Sequence, residues 1–355
     1  MKKVGIITLT DNANFGNRLQ NYALSTVIKR NGIECETLWK RDNKIKKYIR
    51  EFIYFIKLRN IGDYIKEKLR KKVFKSFTNE YIDISYYRTY KDITKKSFYK
   101  FIIGSDQIWS PLALEYYPIS LTEFINKENS VASYAPSIGV SSVNNEYILK
   151  MKSAYKNNKI KDISVREDCG KKILESILDR NDIEVLIDPT MLLDDNQWDK
   201  ISRKPKHIGN KKYILNYFLG NVSNDRKAAI ETIAKEYDCD IINILDKNDK
   251  NYISGPSEFL WLEKNAFLIC TDSFHSAIFG IIYKRPFVVF ERDDKNESMN
   301  SRLDTLLSKF KLKDRRYNGK CITKENLSVD YKEAYSILSE EREKSRLFLE
   351  KILDV

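Results

Sequence analysis

The stretch that decides the fold lies at the start of the chain, where residues 4–38 read VGIITLTDNANFGNRLQNYALSTVIKRNGIECETL. Residues 4–9 are an apolar run of strand length, and a polar loop separates them from a helical pattern over residues 18–31. Gly32 ends that helix, and residues 33–38 form a second apolar strand. The order strand, loop, helix, strand predicts a parallel βαβ unit, which places the chain in the α/β class.

The same alternation continues to the C-terminus in two series. Predicted strands lie at residues 98–103, 130–135, 161–166, 185–187, 213–218, 241–244, 267–271 and 287–290. A length of 355 residues suits two domains. We predict an N-terminal α/β domain at 1–204, and a C-terminal α/β domain at 205–355 whose last helix packs back on the first. Two Rossmann-like domains facing across a cleft is the glycosyltransferase-B-like arrangement.

Most of the net charge of +13 lies in a predicted basic helical insertion at residues 40–75. Apolar residues recur there at helical spacing, which predicts amphipathic helices over about 45–56 and 61–74. They are either a solvated surface or a peripheral contact with an anionic inner membrane leaflet. The chain carries no recognised nucleic-acid module, export signal or membrane span, so we expect a cytoplasmic protein that binds no nucleic acid.

Residues 271–275, TDSFH, are the strongest candidate for chemistry. They follow an apolar strand and open a helix, so Asp272 or Ser273 can cap the helix. The N-terminus of a helix attracts anions, and His275 in its first turn can donate a proton or bind a phosphate oxygen. The alternative is a simple helix cap with a histidine in the core.

Three further strand ends carry polar candidates. Asp106, in the segment GSDQIW, can serve as an acid, a base or an acceptor for a sugar hydroxyl, and Trp109 can pack on a sugar ring. The alternative there is a helix cap beside a structural tryptophan. Arg166 can grip a carboxylate or phosphate, or pair with Glu167 or Asp168. The first loop, with Asn12, Asn14, Gly16, Asn17 and Arg18, suits a phosphate or sugar but lacks a dinucleotide fingerprint.

Taken in order, these motifs resemble the polysaccharide pyruvyl transferase family. The matching segments are NFGNRLQNYAL at 14–24, GSDQIW at 104–109, SVRE at 164–167, DPTMLL at 188–193, EFL at 258–260, TDSFH at 271–275, and residues 284–290 and 301–307. The resemblance implies a glycosyltransferase-B-like fold, phosphoenolpyruvate as donor, and a pyruvate ketal formed on a sugar of a cell-surface polysaccharide or its lipid-linked precursor. It implies no cofactor and no metal.

The resemblance also implies roles for single residues. His275 and Asp106 are the expected catalytic pair. Many members of the family carry an arginine at the position of Ser273, so another cation, from Lys284, Arg292 or Arg302, must replace it here. The expected donor-binding residues are Arg166, Ser273, Ser276, Lys284 and Arg302. The expected acceptor-binding residues are Asn14, Asn17, Arg18, Gln107 and Trp109.

Two other functions stay open at this point. A glycosyltransferase with a nucleotide-sugar donor would use the same fold, with Glu291 or Asp293 on the ribose. A carbohydrate-binding or scaffolding protein would need no chemistry at His275.

Overall fold

The computed structural model describes residues 2–41, 60–125, 131–155, 160–293 and 301–355. These residues form two compact units. The first comprises Met1–Pro189 and Ser345–Val355, and the second comprises Thr190–Lys344.

The first unit contains one parallel sheet of seven strands in the order β3-β2-β1-β4-β5-β6-β7. Its strands are β1 (Lys3–Ile7), β2 (Glu34–Lys40), β3 (Ile84–Tyr87), β4 (Lys100–Ile103), β5 (Val131–Ser133), β6 (Ile160–Val165) and β7 (Glu184–Val185). Its helices are α1 (Phe15–Arg30), α2 (Ile61–Tyr81), α3 (Tyr90–Thr94), α4 (Pro111–Tyr116), α5 (Asn145–Tyr155) and α6 (Asp168–Leu178). The order of the first six strands is that of a Rossmann sheet.

In such a sheet ligands bind beyond the carboxyl ends of the strands, where the strand order reverses. In the first unit the chain winds outward in both directions from the pair β1 and β4. The loop before α1 and the segment after β4 therefore lie at this switch point. Asn14 caps α1 by accepting a hydrogen bond from the Asn17 amide, which orients the first turn toward the same edge.

The second unit contains a parallel sheet in the order β11-β10-β8-β9. Its strands are β8 (Tyr213–Tyr217), β9 (Asp240–Asn243), β10 (Leu268–Thr271) and β11 (Phe287–Val289). Its helices are α7 (Asp195–Asp199), α8 (Asn224–Glu236), α9 (Pro256–Asn265), α10 (Phe274–Ile282), α11 (Ser301–Lys309) and α12 (Lys332–Leu353), whose end belongs to the first unit. The switch point here lies between β8 and β10. The two parallel sheets confirm the predicted α/β class with two Rossmann-like domains.

The units divide between Pro189 and Thr190, earlier than the division predicted between residues 204 and 205. The reason is that Trp198 of α7 packs edge-on against Phe279 of α10, with ring centroids 5.2 Å apart. At the other end of the chain, Phe348 of α12 contacts the ring of Tyr134 in the first unit.

The second helix predicted in the basic insertion is α2, which extends to Tyr81. The first predicted helix, over 45–56, lies within residues 42–59, outside the described residues. Among the described helices none is long and apolar enough to cross a membrane.

Candidate active site

Asp106 lies at the switch point of the first unit with a positive φ. The value is +66°, in the left-handed region, which costs about 1–3 kcal/mol and persists because surrounding contacts offset that cost. Its carbonyl accepts a 2.7 Å bond from the Ser137 amide, and its Oδ1 accepts a 2.9 Å bond from the Gln107 amide. Strained residues of this kind are frequent in active sites.

Asn17 and Arg18 reach Asp106 from the first turn of α1. The Asn17 Nδ2 donates to Asp106 Oδ2 at 3.4 Å, while its Oδ1 accepts from Arg18 Nε at 3.1 Å. Arg18 is completely buried, donates to the Leu9 carbonyl at 2.6 Å and lies over the Trp39 ring. Burial lowers its pKa to about 10, and the nearby Asp11 offsets this in part. Arg18 therefore fixes the amide orientation of Asn17, so that the NH₂ group faces Asp106.

Arg166 is the cation beside the Asp106 carboxylate. Its Nη1 donates to Asp188 Oδ2 at 2.6 Å, and its Nη2 lies 3.8 Å from Asp106 Oδ1. Asp188 also accepts a 2.8 Å bond from the Ser105 hydroxyl. The side chains of Arg166 and Asp188 are at most 1% exposed. The arginine is thus neutralised by two carboxylates, and it positions Asp106.

In the second unit, the Asp272 side chain links the segment after β10 to the loop after β8 at the switch point. Its Oδ1 accepts a 2.7 Å bond from the Leu219 amide and its Oδ2 a 2.8 Å bond from the Gly220 amide. Arg292 Nε lies 3.6 Å from the same Oδ2. Gly220 is needed for this approach, because a Cβ there would lie 3.0 Å from the Asp293 carbonyl. The carboxylate of Asp272 therefore fixes the β8 loop against the start of α10 instead of capping the helix.

His275 is the second residue of α10, directly after the strand end that Asp272 anchors. Ser273 occupies the N-cap position, but its side chain makes no capping hydrogen bond; its amide donates to Thr271 Oγ1 at 2.9 Å. The imidazole is 6% exposed and meets the Phe274 ring edge-on at 5.5 Å. The guanidinium carbon of Arg302, on α11, lies 6.0 Å from the centroid of the same Phe274 ring. Phe274 is thus close to both His275 and a cation at the N-terminal end of α10, and the N-terminus of a helix favours anions.

The family model of polysaccharide pyruvyl transferases matches residues 14–294 of this chain, which include both switch points. The chain belongs to the polysaccharide pyruvyl transferase family. The match confirms the resemblance that the sequence motifs indicate.

Several solved structures are similar to this pyruvyl transferase family member. UDP-N-acetylglucosamine 2-epimerase from Rickettsia bellii is 12% identical, with 100% of this chain and 97% of that chain covered and a TM-score of 0.46. UDP-GlcNAc 2-epimerase from Methanocaldococcus jannaschii, in complex with UDP-GlcNAc and UDP, is 16% identical, with 99% of both chains covered and a TM-score of 0.44. MurG from Acinetobacter baumannii is 9% identical, with 98% of this chain and 95% of that chain covered and a TM-score of 0.37. No curated protein matches the chain significantly.

The residues predicted to bind the acceptor in this family member have different environments. Asn14 and Gln107 are partly exposed at the switch point. Trp109 is completely buried, and its Nε1 donates to the Tyr155 hydroxyl at 3.2 Å. The structure therefore favours the structural alternative for Trp109, since no face of its ring is open to a sugar. Arg18 is likewise buried and acts through Asn17.

The predicted donor-binding residues divide in the same way. Ser276 is completely buried, and its hydroxyl donates to Glu263 at 2.6 Å. Lys284 follows the C-terminus of α10, about 13 Å along the helix from its first turn, and its Nζ lies 4.1 Å from the centroid of the Tyr335 ring. Its position at the other end of the helix removes it from the site. Arg302 is the predicted cation whose guanidinium lies near Phe274, the neighbour of His275.

For Arg166, the alternative to donor binding was an ion pair with Glu167 or Asp168. The structure instead shows pairs with Asp188 and Asp106, and the role in donor binding stays a prediction. Glu167 is occupied by the Ser137 hydroxyl and by the amides of Ile138 and Gly139.

Two carboxylates at strand ends, Asp188 and Asp272, are not among the site residues predicted from the sequence. Both follow predicted strands within quoted motifs, which was the available signal. Within the described parts of the chain, no three histidine, cysteine, aspartate or glutamate side chains converge as metal ligands.

Proposed function

We propose that this family member transfers a pyruvyl group from phosphoenolpyruvate to two hydroxyls of one sugar, in a cell-surface polysaccharide or its lipid-linked precursor. The observation that carries the proposal is the position of His275. It lies in the first turn of a helix that follows a parallel strand, at a switch point, and the Phe274 ring is close to both His275 and Arg302. Membership of the family supports the same chemistry.

The reaction needs an acid, a cationic pocket and an oriented acceptor. The enol C3 of phosphoenolpyruvate gains a proton, C2 forms a bond to the first hydroxyl oxygen, and the C2–O bond to phosphate breaks. The second hydroxyl then bonds to C2 and closes the ketal. The protons lost by the two hydroxyls balance the one gained at C3 and the one that leaves with phosphate. In this proposal His275 supplies the proton or contacts the leaving phosphate.

The roles of the two units follow from their charges. Arg302, with Arg292 near Asp272, offers the positive charge that the donor carboxylate and phosphate need. Asp106 accepts bonds from Asn17 and Gln107 and offers a carboxylate to a sugar hydroxyl. No cofactor enters the proposal.

A comparison of two cations tests the donor site. Arg302→Ala should raise the KM for phosphoenolpyruvate at least about tenfold, because it removes a charge-assisted contact worth roughly 1.5–3 kcal/mol. Lys284→Ala, its matched control at the far end of α10, should leave this KM within about twofold. Initial rates at varied donor concentration measure both. Equal effects of the two variants would contradict the assignment.

Mass spectrometry of a lipid-linked oligosaccharide acceptor tests the reaction itself. The expected product is heavier than the acceptor by one pyruvate less one water, and phosphate is released in equal amount. Turnover with a nucleotide sugar, and none with phosphoenolpyruvate, would instead establish a glycosyltransferase.

We further propose that α2 contacts an anionic membrane from the cytoplasmic side, where lipid-linked acceptors are available. Ile61, Ile65 and Leu69 follow one another at helical spacing and are 67%, 52% and 44% exposed. Exposed lysines, Lys72 and Lys75, continue the helix beyond them. Large apolar residues beside cations are typical of a helix that lies in the interface of an anionic bilayer.

Sedimentation with phosphatidylglycerol vesicles tests this contact. The protein should pellet with these vesicles at physiological salt and much less with neutral phosphatidylcholine vesicles. Ile65→Glu with Leu69→Glu should remove most of the binding, because both apolar side chains leave the interface. Leu149→Glu, at a residue of α5 that is 67% exposed, is the matched control and should not change it. Binding that survives the double substitution would refute the role of α2.

A further inference from the structure

An acidic residue that the proposed chemistry does not use lies inside the apolar face of α9. Glu263 is completely buried, as are its helix neighbours Phe259, Leu260 and Leu262. It forms no ion pair with the described residues. Because an ionised carboxylate without water or a cation is very costly in such a place, the position demands a neutral acid.

Within the described ranges, the side chain that hydrogen-bonds to this acid belongs to the first turn of α10. The Ser276 hydroxyl donates to Glu263 Oε1 at 2.6 Å, and Ser276 is itself completely buried. Ser276 directly follows His275 in the helix. A hydrogen bond between the two helices therefore lies one residue from the imidazole.

The surroundings of Glu263 favour its protonated form. Burial raises the pKa of Glu263 well above its usual value, and the bond from Ser276 opposes this in part. Glu263 acts electrostatically on the phenols of Tyr213 on β8 and Tyr283 after α10, whose pKa values also rise mainly through burial. Arg285 lies near Tyr213 but forms no ion pair with the carboxyl.

We propose that Glu263 is a positioning residue that holds the first turn of α10, and with it the His275 imidazole, through its hydrogen bond with Ser276. Leucine or methionine would fill the same space with less electrostatic cost, but neither fixes a direction. A buried directional bond fixes how the start of α10 is placed against α9. The kinetic part of this inference rests on the proposed function; the structural part does not.

Three variants separate positioning from simple packing. Glu263→Gln keeps an oxygen that accepts from Ser276, so kcat should stay within about threefold. Glu263→Met and Ser276→Ala each remove the bond and should lower kcat by about ten- to hundredfold with little change in KM, because small displacements of an acid strongly slow proton transfer. Ile230→Ala, a core truncation on α8, controls for lost stability and should leave kcat unchanged.

Two measurements need no substrate. The chain contains two histidines, so Nε2 and Nδ1 resonances of His275 are assigned by comparison with His207→Gln. The His275 signals should shift or broaden in Glu263→Met and Ser276→Ala, but not in Glu263→Gln or Ile230→Ala. The Tm of Glu263→Gln should exceed that of wild type near pH 8 and approach it near pH 4.5, the ordinary pKa of glutamate, because a raised carboxyl pKa lowers stability as pH rises above that value.

The outcomes are distinguishable. Unchanged His275 signals in Glu263→Met would overturn the positioning role, whatever the donor proves to be. A Tm difference between Glu263→Gln and wild type that does not vary with pH would overturn the neutral state of the acid. If no donor supports turnover while the His275 signals respond as expected, the proposed function fails and the positioning role stands.

Discussion

His275→Ala should reduce pyruvyl transfer by about 10²–10⁴-fold, the usual contribution of a positioned general acid or base. The loss should appear mainly in kcat, because the proton must reach C3 of the donor in the transition state, whereas ground-state binding depends on Arg302 and the helix N-terminus. The imidazole is only 6% exposed and packs edge-on against Phe274, so the Tm of the variant is measured beside its activity to show that it remains folded. Rates of phosphate release at saturating phosphoenolpyruvate measure the effect.

The second histidine supplies the control. His207 is exposed in the second unit, between α7 and β8, so His207→Ala should retain full activity. His275→Gln keeps the size and a donor of hydrogen bonds but not the proton transfer. It should therefore resemble His275→Ala in kcat if the residue is an acid, and wild type in KM. Activity of His275→Ala within about threefold of wild type would exclude a catalytic role for this residue.

All the strands of both sheets except one could be predicted from the sequence to within two or three residues, because most central parallel strands are buried on both faces and are largely apolar. The strand Ile84–Tyr87 was not predicted. It lies at the edge of its sheet, its apolar run is interrupted by the polar Ser85, and Tyr86 is exposed. The pattern of apolar and polar residues in a strand depends on its position in the sheet, and the local sequence does not show that position.

The candidate site shows the same limit. Strand ends correctly located Asp106 and His275, because parallel strands present their carboxyl ends at one edge. The partners of these residues depend on longer connections: Asp272 bonds to amides 52 and 53 positions away. Ser276 points inward and Lys284 lies beyond the far end of α10 because of where the helix begins and ends. These directions can be predicted only when the exact boundaries of the helix are known. Composition and order alone do not supply them.

Arg166→Met should destabilise the first unit by about 3–5 kcal/mol, the cost of leaving a buried charge without its partner. The Asp188 side chain is completely buried and would lose its ion pair with Arg166, while it keeps the bond from the Ser105 hydroxyl. The free energy of unfolding, obtained from urea denaturation curves, measures this loss, and the m-value should not differ between the variant and wild type. If Arg166 instead binds the donor, its loss should raise the KM for phosphoenolpyruvate and change the free energy of unfolding by less than about 1 kcal/mol.

A double substitution separates these two roles further. Arg166→Met with Asp188→Leu removes both charges from the buried pair, and apolar replacement of such pairs is often neutral or stabilising. We therefore expect the double variant to recover most of the stability lost in Arg166→Met, a coupling of several kcal/mol in a double-mutant cycle. Arg346→Met, which breaks the exposed pair with Glu350, is the control and should cost less than about 1 kcal/mol.

The double variant should nevertheless remain slow in catalysis, because Asp106 keeps its left-handed backbone without the guanidinium that orients its carboxylate. Recovered stability with full activity would show that Arg166 only balances Asp188 and does not position Asp106.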